Sequence, residues 1–134
     1  MRLRYAIGCG LAVLSAAAAA QEHGLARPNL VLEQVVEGLP RDAKQSVRVL
    51  TATFKPGDRT VPHTHRFPVT VYVLEGAFTL ELKDRPPITI KAGEALVEPP
   101  NVEMTGYNRS NSDVTRVVIV YVSTPDTPFL DPLH

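Results

Sequence analysis

From Ser46 onward the sequence is cut into short apolar, β-branched segments, and no stretch keeps a helical period long enough to build a helix with one buried face. The segments are Ser46–Phe54, Val69–Leu74, Ala77–Leu82, Ile88–Ile90, Ala95–Val97, Val102–Tyr107 and Thr115–Val122. Turn chemistry separates them: Lys55-Pro56-Gly57-Asp58, Glu75-Gly76, Asp84-Arg85-Pro86-Pro87, Ala92-Gly93, Pro99-Pro100-Asn101 and Asn108 to Asp113. Short strands at this spacing predict an all-β antiparallel sandwich or barrel. The twelve prolines agree, because proline is tolerated at strand ends and turns and not inside helices.

Upstream the pattern is different. Arg2 and Arg4 precede an apolar run from Tyr5 to Leu14, followed by Ser15 and five alanines. A charged start, an apolar middle and a small-residue end are the marks of a signal peptide, and Ala18-x-Ala20 places cleavage before Gln21. The apolar run is shorter than the roughly 20 residues of a membrane span. Residues 1–20 are therefore read as a leader, with a periplasmic or secreted product and no membrane attachment after cleavage. The one cysteine, Cys9, lies inside the leader, so the mature chain has neither a disulfide nor a thiolate nucleophile.

Losing Arg2 and Arg4 takes the fourteen basic residues to twelve, against fourteen acidic ones, a net charge of about −2. The charges are dispersed, which argues against nucleic acid as a partner. About 114 residues remain, enough for one core. Residues 21–45 are expected to form an arm and a first strand at Leu30–Val36. Residues 46–123 form the barrel. Residues 124–134 form an extended tail packed through Phe129, Leu130 and Leu133. Arg48 and Arg116 are placed on exposed faces. Edge strands and the arm point to a homodimer, since bare strand edges tend to be covered.

The chemistry concentrates in Gly57-Asp-Arg-Thr-Val-Pro-His63-Thr-His65-Arg-Phe-Pro-Val69. Side chains alternate along a strand, so His63 and His65 face the same way and form half of a metal site. The stretch from Gly57 through His63 and His65 to Gly76 resembles the first motif of the cupin superfamily. The stretch with Gly93, Pro99 and Asn108 resembles the second. The resemblance spans about half of the mature chain. It implies a small single-domain, type-2 cupin with a double-stranded β-helix, or jelly-roll, barrel.

The usual metal shell of that family is three histidines and one glutamate. Here Val69 stands at the glutamate position and Met104 at the third histidine position, while Asn101 replaces a glycine. Asn101 is a mild change, because asparagine tolerates positive φ. Glu98 and Glu103 flank the second motif. Strand parity turns Glu103 away from Met104, and neither is assigned as a replacement ligand.

Three functions follow. In the first, His63, His65 and Met104 hold a metal ion; two imidazoles and a thioether suit copper better than iron or manganese, with zinc, iron and manganese left open. Methionine as plain core filling is the equal alternative for Met104. In the second, the two histidines hold a divalent metal for a dioxygenase or isomerase. In the third, the barrel is a metal-free module for a small-molecule ligand, with Phe67, Tyr72 or Tyr107 near the histidines.

Overall fold

Strand β1, Ser46–Phe54, shows the alternation the sequence leads one to expect: Val47, Val49, Thr51 and Thr53 point outward, and the residues between them point toward the interior. This computed structural model describes residues 15–21 and 23–134. Most of the expected leader, with Cys9, lies outside the described residues, and Ser15 to Ala20 are exposed and without regular structure. No helix among the described residues is long and apolar enough to cross a membrane.

Eight further strands follow: β2 (His63–Thr64), β3 (Val69–Glu75), β4 (Ala77–Leu82), β5 (Ile88–Lys91), β6 (Ala95–Glu98), β7 (Met104–Tyr107), β8 (Thr115–Ser123) and β9 (Asp131–Pro132). They form two antiparallel sheets, ordered β1-β8-β3-β6 and β5-β4-β7-β2-β9. The predicted segments match to within one or two residues at their ends.

Leu30–Val36 is the exception. It forms no strand. Leu32 and Val36 rest half-buried near Thr70, Val97, Val120 and Val122 on the outer face of the first sheet. The segment lies over a sheet face and forms no ladder with an edge, so its apolar spacing is satisfied without strand pairing. Arg48 also departs from expectation. It lies on the inward side of β1, donating to Ser123 Oγ (2.7 Å) and the Thr127 carbonyl (2.5 Å), with its guanidinium over the Tyr121 ring. Arg116 is exposed, as expected.

The core lies between the sheets. Val69, Val71 and Val73 of β3 face Phe78, Leu80 and Leu82 of β4, with Leu96, Val117 and Tyr121 closing the sides. Burial of such side chains contributes roughly 1.5–3 kcal/mol each. Two turns show why the motif residues matter. Gly76 has φ +75, and a Cβ there would collide with the Val114 carbonyl, so only glycine links β3 to β4. Asn101 takes φ 58, so the glycine of the motif is replaced by a residue that accepts the same backbone. Asn108 is buried, and its amide lies within hydrogen-bonding distance of the carbonyls of Phe54, Lys55 and Asp113, tying the end of β1 to the β7–β8 connection.

Candidate metal centre

His63 opens the short strand β2 and His65 follows directly after it, in a segment bracketed by Pro62 and Pro68. His63 and His65 are 4% and 1% exposed. Each ring is fixed at its Nδ1 edge. His63 Nδ1 lies 2.6 Å from the Val61 carbonyl, and His65 Nδ1 lies 2.6 Å from the Phe129 carbonyl. A carbonyl oxygen only accepts, so both Nδ1 atoms carry the proton. In each neutral ring Nε2 is then a bare lone pair, which is the tautomer that binds metals.

The two Nε2 atoms face each other at 3.1 Å. A third acceptor joins them: Glu98 Oε2 lies 3.2 Å from His65 Nε2. Glu98 is 5% exposed. Burial holds the His63 pKa below its ordinary value, its hydrogen bond to Val61 only partly offsetting the desolvation. Three buried acceptors thus converge with no proton to share between the two rings. Either a proton or a metal cation placed among them relieves their mutual repulsion.

In donor type, two imidazoles and a carboxylate suit a divalent ion. Two ligand atoms each about 2.0–2.1 Å from one ion stand roughly 2.9–3.4 Å apart at angles between octahedral and tetrahedral. Both measured separations fall in that range. The three groups form an open row and not a closed cage. His65 touches both neighbours, while no ion pair joins His63 to Glu98. Accordingly, no group of three or more His, Cys, Asp or Glu side chains among the described residues is placed to hold a metal ion as it stands.

The sequence assigns no carboxylate in place of the one missing at Val69, and the structure sets Glu98 beside His65. It sits on β6, directly opposite Val69 of β3. The signal was present in the sequence: Leu96 is a core residue, and two residues further on the side chain must point the same way. Reading Glu98 as a flank of the Pro99-Pro100 turn hid that parity. Glu103 behaves as expected, exposed and paired with Lys83.

Met104 is buried and is the cross-strand partner of His63. It does not line the cavity that the histidines and Glu98 share. That cavity is small, about 50 Å³, and is walled by Phe54, Phe78, Val71, Val117, Ile119 and Phe129. Of the aromatic residues considered for the barrel mouth, Phe67 packs beside Tyr121, Tyr107 lies under Arg109 and Tyr72 points to the outer face of its sheet. Phe54, Phe78 and Phe129 take the place expected of them. A larger groove of about 630 Å³ runs between the arm and β6, but neither histidine nor Glu98 borders it.

Comparison with known proteins agrees with this fold. The family model described as "Cupin domain" matches residues 50–121. A cupin-like protein from Thermotoga maritima is 24% identical, with 65% of this chain and 64% of that chain covered and a TM-score of 0.56. An RmlC-like cupin family protein with a double-stranded β-helix fold from Methanocaldococcus jannaschii is 27% identical over 69% of this chain and 93% of that one, with a TM-score of 0.54. The polyketide cyclase RemF from Streptomyces resistomycificus is 25% identical over 66% and 61% of the two chains, with a TM-score of 0.54. The chain spans less than two thirds of the Thermotoga protein and of RemF. No curated protein matches it.

Proposed function

The chain belongs to the cupin family, and from that premise we propose that it binds one divalent metal ion through His63 Nε2, His65 Nε2 and Glu98 and offers it to a small ligand in the adjoining apolar cavity. The observation that carries this reading is the convergence of three buried acceptors, with both imidazole tautomers fixed from behind by backbone carbonyls. Two imidazoles and one carboxylate make a harder donor set than two imidazoles and a thioether. The ligand argument for copper required the absence of a carboxylate. With Glu98 in place, iron(II), manganese(II) and zinc(II) suit the site better.

When bound, such an ion supplies a Lewis-acid centre with open coordination positions. The chain's own residues do the rest. Val61 and Phe129 orient the two rings through their carbonyls. Glu98 supplies the negative charge that a buried cation requires. Phe54, Phe78, Val71 and Ile119 keep bulk water from the open side, which strengthens every electrostatic contact inside. The leader-like residues 1–20 support an exported, periplasmic or secreted location as part of the same proposal, and the intact mass of the mature protein reads the cleavage point.

The test is elemental analysis of the purified protein, followed by titration of the metal-free chain with manganese(II), cobalt(II) and zinc(II). One ion per chain is expected, lost in His65→Ala and in Glu98→Gln. A wild-type chain that takes up no metal at millimolar concentration ends this reading.

A further inference from the structure

The tail after β8 does more than pack against the barrel. Its carbonyl at Phe129 holds the Nδ1 edge of His65, and its Phe129 and Leu130 side chains form one wall of the cavity. The Phe129 ring stands 5.0 Å from His65 and 5.7 Å from Tyr121. The tail is secured very differently at its two ends. On the β8 side, Thr127 is buried, and its carbonyl accepts from Arg48, which is itself fixed over Tyr121. On the far side, the attachments are the two-residue ladder of β9 with β2, one bond from the Leu133 amide to the Pro62 carbonyl, and the Arg66–Asp131 ion pair. That ion pair has two good hydrogen bonds, 2.9 and 3.0 Å, but both partners are well exposed. Exposed pairs stabilise little and are screened by salt.

We propose that residues 128–133 are a lid hinged at Thr127 and latched by Arg66–Asp131, and that this lid sets which ligands reach the metal centre. A cavity of about 50 Å³ has room for one or two molecules of water size, each of which occupies about 30 Å³ in the liquid. With the lid closed, the space suits a ligand of about two heavy atoms. A larger organic ligand enters only when Phe129 and Leu130 swing out. Opening also withdraws the carbonyl from His65, so ligand entry and the orientation of that ring are linked. Phe129 is thereby a positioning residue acting through its backbone. This consequence rests on the reading of His63, His65 and Glu98 as the metal set, but the lid itself does not.

The test therefore reads the lid without metal. Diethyl pyrocarbonate modifies accessible imidazoles, and exposed His23 serves as the internal reference. Thr64 and Asp131 are register partners, a separation that suits a disulfide. In a Cys9→Ser background, Thr64→Cys with Asp131→Cys gives a lid that is locked when oxidised and unlatched when reduced. Modification of His63 and His65, relative to His23, should fall at least tenfold on oxidation and recover on reduction. A single Asp131→Asn variant, which keeps the ladder, should raise it several-fold over wild type. Equal rates in the locked and reduced states, or no change in Asp131→Asn, would overturn the lid. Cobalt(II) titration of the same proteins reads the metal proposal separately: failure to bind cobalt in either state removes the metal reading and leaves the modification result standing.

Discussion

Glu98 and Val69 are register partners on neighbouring antiparallel strands, and both are directed into the barrel. Residues directly opposite each other in this way have their Cβ atoms about 4.5–5.5 Å apart. A carboxylate lost from β3 can therefore be replaced from β6 with the same direction of approach to His65. This yields a double-variant expectation. Glu98→Val should lower metal affinity by at least about 100-fold, more than the 10–100-fold typical of groups that only support a ligand. Adding Val69→Glu to Glu98→Val should restore most of that loss. Metal titration of the three variants checks it; a double variant as weak as Glu98→Val alone would mean that the two positions are not equivalent.

Met104 is expected to behave as core. It packs with Leu82 and Leu80 in the buried cluster, and it does not border the cavity of the histidines. Leucine conserves its volume, so Met104→Leu should change stability by less than about 1.5 kcal/mol. Metal affinity should stay within threefold of wild type. A selective loss of copper(I) binding in Met104→Leu, with stability intact, would instead make the thioether a ligand.

The metal-free protein should lose stability as the solution is acidified. Burial lowers the pKa of His63 below its ordinary value of about 6.5, so the unfolded chain takes up a proton before the folded one. Stability from this group is fully present above pH 6.5 and is lost as pH falls through the folded value. For one group the slope is at most about 1.4 kcal/mol per pH unit. Denaturant midpoints at pH 8, 6.5 and 5 should show it, and His63→Gln should flatten the curve. Metal binding should weaken over the same range, since the proton and the ion compete for the same lone pair.

The strands were legible because their apolar segments are short, β-branched and separated by turn residues that permit few other conformations. The His63–His65 pair was legible because a two-residue spacing fixes a shared face wherever a strand runs. What stayed hidden depended on contacts distant in sequence. Glu98 becomes a site residue only when β6 pairs with β3, a register that no local pattern states. Phe129 lies 64 residues from the ring that it orients. Leu30–Val36 misled in the opposite direction. Its spacing suits a strand, but a sheet face satisfies the same side chains.

The outer face of the first sheet is expected to be covered by a second copy of the chain. Val47 and Val49 of β1 are each 66% exposed and pair in register with Val122 and Val120. Thr51 and Val118 continue the row, and Arg116 brings a charge only at the far end. The arm shields Val120 and Val122 from one side but leaves the β1 edge bare, and its own Leu30 and Val35 remain exposed. At strand spacings of about 4.8 Å and rises of about 3.4 Å per residue, the strip of β1 and β8 measures roughly 300 Å². Two such strips reach about 600 Å², and the exposed Leu30 and Val35 of both arms must supply the rest of the roughly 1,000 Å² that a specific interface needs. An uncharged, β-branched surface is complementary to itself, which a two-fold dimer requires. Sedimentation should show a dimer at micromolar concentration, and Val47→Glu with Val49→Glu should give a folded monomer that still binds metal. A wild-type chain that stays monomeric at 100-fold higher concentration would count against this interface.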